Sequence, residues 1–368
     1  MSRVLLASSL ILALIAASRL PVWAGDPVGT GLAYLSTQQQ ADGGFRSGFS
    51  AGSDVGTTSD VVLAIAAGGQ DASTWPAGGG NSPLDYLYTQ VARGAVSQPG
   101  ERAKVVMALL ATGQDPSAFA GHDLIAELKA NHDLATGYYG GTVFDQALVM
   151  LALFDAGQWM PDRASQYLLD RQCADGAWAL FGDTAAGTGD TNTTAMVVQA
   201  LHATGHRDEI GGAFDYFRRV QNSDGGFPYQ NPSAYGTDTD ANSTALVLQA
   251  LLATGAPLGE WIPGGTDPLG ALVALHDSAS GAFFWQAAMP YANALATAQA
   301  IPAVQGYTYT RLPRVQAANA PGPVAATAVS GGALLPPAGG AALLPVALVG
   351  LGAVALGAGR ALRRKRRS

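Results

Sequence analysis

Residues 216–255 read YFRRVQNSDGGFPYQNPSAYGTDTDANSTALVLQALLATG, and the order of their parts decides the architecture. An amphipathic segment runs into the turn Gln221-x-x-Asp224-Gly-Gly-Phe227, an aromatic and acidic loop follows, and an apolar segment closes on Gly255. The last segment is rich in Ala and Leu and too long for an ordinary strand, so it predicts a helix. Being apolar on most faces, it predicts a helix buried all round. Asn242-Ser243-Thr244 offers acceptors to the free N–H groups at its start, and Gly255 supplies the left-handed residue that ends it.

Variants of this unit recur along the chain. Aligned on their closing glycine, the inner segments end at Gly68, Gly113, Gly157, Gly205, Gly255 and, more weakly, Gly306, spaced 44 to 51 residues apart. The outer segments superpose without a gap at residues 34–45, 167–178 and 216–227. Their common positions are Gln39, Gln172 and Gln221, then Asp42, Asp175 and Asp224, then Phe45, Trp178 and Phe227, with degenerate copies at Asp133 and Asp277. Asp-Gly turns the chain, the glutamine amide bonds neighbouring backbone and the aromatic caps the outer layer, so these residues read as structural. Repetition at this period predicts six helix pairs over residues 25–306.

The turn followed by an apolar helix containing Thr-Ala resembles the prenyltransferase and squalene-oxidase repeat of terpenoid cyclases and protein prenyltransferase β subunits, over residues 29–306. That resemblance implies an all-α fold, an (α/α)6 toroid with inner helices around a cavity and outer helices around them. In squalene cyclases an Asp-x-Asp-Asp-Thr-Ala motif opens an inner helix, and its central acid protonates the polyprene. Matched on Thr-Ala, this chain has Asp240-Ala241-Asn242-Ser243-Thr244-Ala245 and Asp190-Thr191-Asn192-Thr193-Thr194-Ala195. Asparagine replaces the central acid in both, and an amide cannot donate that proton. No catalytic residue is therefore assigned, with Asp238, Asp240 and Asp190 as the acid candidates.

The prenyltransferase side of the resemblance implies a zinc site of Asp, Cys and His. Cys173 is the single cysteine, with Arg171 rather than an acid two residues before it, so no metal site is expected. Residues 142–157 and 190–205 are also similar to inner helices of the cobalamin carriers intrinsic factor and transcobalamin, which implies a corrinoid as a ligand; no cofactor is otherwise expected. Aromatics beside carboxylates also suit sugars, and α/α barrels host glycosidases that use an acid pair.

Glu101, Asp145, Asp190 and Asp240 stand near the starts of successive inner helices, with Asn192, Asn242 and Asn293 in register. Acids there favour the helix dipole, and they would also form a polar ring that orients an entering ligand. The inner helices carry almost no aromatics, whereas Tyr138, Tyr139, Phe181, Tyr229, Tyr235, Phe284, Trp285 and Tyr291 fall in loops expected to form the rim. The ligand-binding candidates are Glu101, Asp145, Asn192, Asn242, Asn293, Tyr229, Tyr235 and Trp285.

The ends of the chain point to export. Residues 1–24 have the apolar run and small-residue cleavage site of a signal peptide, and residues 307–340 form a Pro/Ala/Gly-rich stretch read as a stalk. Residues 341–359 are long enough and apolar enough for a membrane helix, and the basic residues 360–368 would stay cytoplasmic. Leu335-Pro336-Pro337-Ala338-Gly339 resembles a sortase sorting signal with alanine at the threonine position. Setting aside the signal and tail leaves 12 basic against 27 acidic residues, which argues against nucleic acid as a partner. The expected protein is a surface-tethered extracellular toroid that binds an apolar or corrinoid small molecule, a surface glycan or a protein. The alternative is an extracellular enzyme, either a divergent terpene cyclase or a glycan-acting hydrolase.

Overall fold

The computed structural model describes residues 25–315 except 48–49, 76–79 and 234–235. Six inner helices, α2 (Val55–Ala67), α4 (Pro99–Ala111), α6 (Val143–Asp155), α8 (Thr191–Ala203), α10 (Ala241–Thr254) and α12 (Ala294–Val304), pack each against the next, and α12 returns to α2. The ring is closed. Outside it stand α1 (Pro27–Gln38), α3 (Pro83–Ala92), α5 (Leu124–Ala130), α7 (Asp162–Leu169), α9 (Gly211–Val220) and α11 (Pro268–Val273). This is the expected α/α toroid.

The inner helices are all-round apolar because each is buried by two ring neighbours and an outer layer. In α2 every residue is buried, and in α10 every residue from Ala241 to Leu251. Asp54, Asp190, Asp240 and Asn293 cap α2, α8, α10 and α12 by accepting a backbone N–H in the first turn. One closing glycine differs from expectation. In the first unit Gly68 has φ −81° and Gly69 has φ +71°, so Gly69 is the left-handed residue equivalent to Gly113 and Gly255. The shift by one residue brings Asp60 to the level of Lys104.

The repeated turn works as a stitch between units. Gln39, Gln172 and Gln221 donate to the carbonyls of Gly43, Gly176 and Gly225 at 2.9, 3.0 and 2.8 Å. Phe45, Trp178 and Phe227 are fully buried, and their N–H groups donate to Thr58, Thr194 and Thr244 of the inner helices. At Gly43, Gly176 and Gly225 an added Cβ would meet a carbonyl oxygen of the next unit at 2.1 to 2.3 Å, and φ is near +90°. Backbone of one unit thus lies directly on the turn of another, which only glycine permits. The degenerate copies do the same: Gly137 abuts Arg163, and Gly281 abuts Thr30 of α1, closing the outer ring.

Two features depart from a purely helical toroid. Phe284–Gln286 (β1) and Met289–Ala292 (β2) form an antiparallel hairpin in the last unit, with Gln286 bridged to Asp240. Residues 307–315, expected to begin a stalk, pack instead across the C-terminal ends of the inner helices. Tyr309 N–H donates to Gln199 at 3.0 Å, Gln249 donates to the Tyr307 carbonyl at 3.2 Å, Arg314 pairs with Asp155 at 2.6 Å, and Val315 N–H donates to Ala111 at 2.8 Å. Tyr309 and Leu312 are buried because the ring offers an apolar hole that aromatic and aliphatic side chains fill. No helix among the described residues is long and apolar enough to cross a membrane. The signal peptide, the span at 341–359, the basic tail and the Leu335–Gly339 motif lie outside the described residues.

Candidate functional site

The interior of the ring is layered by the helix period. Counting back equally from the left-handed glycines 69, 113, 157, 205 and 255 places Asp60, Lys104, Leu148, Met196 and Leu246 at one level. All five are at most 5% exposed. In α12 Gln299 reaches the same level. Lys104 Nζ lies 2.8 Å from Asp60 Oδ2, Gln299 Nε2 donates to that oxygen at 3.0 Å, and Asn242 Nδ2 donates to Gln299 Oε1 at 2.7 Å. A polar chain thus joins α10, α12, α2 and α4, and faces an apolar half from α6, α8 and α10. Beneath it remains a cavity of about 10 Å³ between Asp60, Gln249, Gln299 and Tyr309, the space of one water. Side chains fill the middle of the ring, with Gln299 the part-exposed member of the layer.

Sequence reasoning missed Asp60, Lys104 and Gln299. The signal was present: a lone Asp in TTSDVVLAIAAG and a lone Lys in GERAKVVMALLATG stand in helices with no polar face. A charge in such a helix requires a partner. Counting from Gly68 instead of Gly69 hid that the two share a level.

The acid candidates do not gather into a catalytic pair. Asp190 Oδ1 accepts Thr193 N–H at 2.8 Å, and Asp240 Oδ1 accepts Ser243 N–H at 2.7 Å. Both are closed to solvent, at 2% and 1% exposure, because the loop of the next unit lies over each helix start. Thr191 N–H donates to the Tyr229 carbonyl at 2.8 Å, and β1 bridges to Asp240. Burial pushes the Asp190 carboxyl up to about 6 and that of Asp240 up to about 7, against the opposing pull of the cap N–H groups. Asp238 is exposed. Asn242, which aligns with the central acid of the squalene-cyclase motif, spends its amide on Gln299.

The remaining polar candidates stand at the starts of the inner helices. Glu101, in the first turn of α4, is half-buried, and burial followed by the carboxylates of Asp54 and Asp145 raises its pKa, with Lys104 acting against them. Asp145 forms a capping box with Thr142, its Oδ2 accepting the Thr142 N–H at 2.8 Å. Asn192 is 4% exposed and its Oδ1 has no hydrogen-bond donor. Asn293 is spent as the α12 cap, accepting Ala296 N–H at 2.9 Å.

The aromatic rim is smaller than expected. Tyr138 stacks on Tyr167 of α7 at 4.9 Å and Tyr139 is buried, so both belong to the outer layer. Tyr229 and Trp285 are half-buried in the loops over α8 and α10, and Phe181 and Tyr291 are exposed. Tyr235 lies outside the described residues. Cys173 is a buried thiol whose Sγ lies 3.3 Å from the Asp183 carbonyl.

No family model matches the sequence, and no curated protein matches it. Solved structures do match the fold. The type II terpene cyclase MstE from Scytonema, in complex with geranylgeranyl dihydroxybenzoate, aligns with a TM-score of 0.56 and 12% identity over 76% of this chain and 96% of its own. Haptocorrin in complex with Cbi gives 0.53 and 15% over 79% of this chain and 69% of its own. The unsaturated glucuronyl hydrolase from Bacillus sp. GL1, responsible for glycosaminoglycan degradation, gives 0.53 and 13% over 76% and 95%. The chain therefore has the α/α-toroid fold these proteins share, as its repeats implied.

Proposed function

We propose that this chain is a surface-tethered α/α toroid that binds a small molecule at the end of the ring where its inner helices start, without performing cyclase chemistry. The supporting observation is the occupied interior. Asp60, Lys104, Gln299 and Asn242 on one side meet Leu148, Met196 and Leu246 on the other, which leaves no room in the middle of the ring for a folded polyprene. At the position aligned with the central acid of the squalene-cyclase motif stands a hydrogen-bonded amide. The helix starts above retain a half-buried carboxylate at Glu101 and an unpaired acceptor at Asn192. Structural neighbours bound to geranylgeranyl dihydroxybenzoate and to Cbi make small-molecule binding a consistent use of the fold. Tethering outside the cell rests on the signal-like residues 1–24 and the apolar run 341–359.

Native mass spectrometry of the full-length chain, released from detergent micelles after purification from its own source, tests this reading. A retained small molecule lost on substitution of Asn192 by Leu supports it, and a bare chain that hydrolyses or cyclises a supplied substrate contradicts it. The second reading is an enzyme, favoured by the Asp240 carboxyl raised to about 7, which holds a proton about half of the time at neutral pH. Under that reading Asp240→Asn or Asp190→Asn lowers turnover of a polyprene or glycan by roughly two orders or more. Under the binding reading both variants fold and bind unchanged.

A further inference from the structure

We propose that residues 316–329 continue the strap 307–315 into a groove on the flank of the ring, so that the chain leaves the domain beside α5. The groove measures about 710 Å³ and lies between α5, the C-terminal end of α4 and the loop that follows α6. Its apolar lining is Leu110, Ile125, Ala126, Ala130 and Ala156. Asp115, Asp123 and Lys129 also line it, and all three are exposed to water. The strap ends beside this groove. Arg314 pairs with Asp155 at 2.6 Å, and the residue after Asp155 is the lining residue Ala156. Val315 N–H donates to the Ala111 carbonyl at 2.8 Å, and the residue before Ala111 is the lining residue Leu110. Consecutive residues are about 3.8 Å apart, so at Val315 the chain stands next to two walls of the groove. Val315 itself is half-buried against the core.

Composition fits the segment to the groove. Residues 315–359 carry no charged side chain, and residues 316–329 read QAANAPGPVAATAV. Small apolar side chains suit a lining of Leu, Ile and Ala, and docking removes apolar surface from water on both sides of the contact. Pro321 and Pro323 favour an extended chain, so less conformational freedom is lost when it docks. Attachment adds to this, because a segment joined directly to its site meets it at a millimolar effective concentration, where even a shallow contact is populated. A separate protein partner lacks that advantage. A charged peptide would gain little from exposed walls that carry charges of both signs.

The test is disulfide trapping in the full-length chain with Cys173→Ser, held in detergent micelles. Ala320→Cys in the segment is combined with Ala126→Cys in the groove or, as the reference, with Ala118→Cys, which is exposed and outside the groove lining. The expected result is a disulfide between positions 126 and 320 of one chain that forms about tenfold or more faster than one between 118 and 320. Replacing residues 316–319 and 321–329 by Gly and Ser at the same length should remove most of that excess, because the reach of the chain stays while its apolar contacts go. The same replacement in the chain without introduced cysteines should speed amide hydrogen exchange in α5 about tenfold. Equal trapping rates, an excess that survives the Gly and Ser replacement, or unchanged exchange in α5 each overturn the proposal. A disulfide that joins position 126 of one chain to position 320 of another, in preference to its own, overturns it in favour of a second copy as the occupant.

Discussion

The two ends of the ring are built from the same six helices and finished in opposite ways. At the lower end the helix C-termini converge on residues 307–315, where Gln199 and Gln249 hydrogen-bond the strap and Tyr309 is buried. At the upper end the N-termini converge on caps, and the polar groups left over include Glu101, the unpaired Asn192 carbonyl and the hydroxyls of Thr191 and Thr193. Between them the layer of Asp60, Lys104, Gln299, Leu148, Met196 and Leu246 divides the interior. A toroid fold therefore does not by itself provide a reaction chamber. Here one end is covered by the strap, and the other is the end at which we propose that a ligand binds.

The largest effect that would break this division is expected at the dividing layer. Lys104→Met strands the Asp60 carboxylate at 2% exposure, and removing one member of a buried pair costs about 3 to 5 kcal/mol. Urea unfolding should show that loss, and Asp60→Leu combined with Lys104→Met should recover most of it. At the lower end Tyr309→Ala empties a buried aromatic site at a cost of about 3 kcal/mol, read from the same experiment, with cap residues at the upper end unaffected.

The caps respond to pH. Asp190 and Asp240 have folded pKa values near 6 and near 7, above the ordinary carboxyl value of 3.8. Between about pH 4 and pH 7 the folded state therefore holds protons that the unfolded state has released, so stability falls as pH rises through that window. The slope amounts to about 1.4 kcal/mol for each unit of pKa separation. Asp240→Asn keeps a competent cap and should flatten the upper part of the window, near pH 6 to 7, in denaturation midpoints measured across pH. The smallest effect belongs to the start of α4: Glu101→Gln should move global stability by less than about 0.5 kcal/mol, because the side chain is only half-buried.

Most of the fold was legible because a repeat must satisfy the same physics in each copy. The Gln-x-x-Asp-Gly turn announces its own hydrogen bonds, and the glycines at 43, 176 and 225 mark where another unit's backbone presses in. The hairpin at 284–292 and the strap at 307–315 were not legible, since each occurs once and owes its conformation to tertiary partners such as Asp240 and Gln199. In the site, Glu101, Asn192 and Asn242 could be placed from the helix register. The roles of Asp190 and Asp240 could not, because the loops carrying Tyr229 and Gln286 are what seal them. Asp60 and Lys104 were readable in principle, as charges in helices without a polar face.

Thiol access tests the closed interior most directly. In the full-length chain with Cys173→Ser, cysteines introduced by Glu101→Cys, Met196→Cys and Leu246→Cys can be timed against a small methanethiosulfonate reagent. The predicted result is rapid labelling at 101 and labelling about a thousandfold slower at 196 and 246, where access requires an opening of about 4 kcal/mol. Labelling of Met196→Cys as fast as Glu101→Cys would show an open lumen and contradict the account.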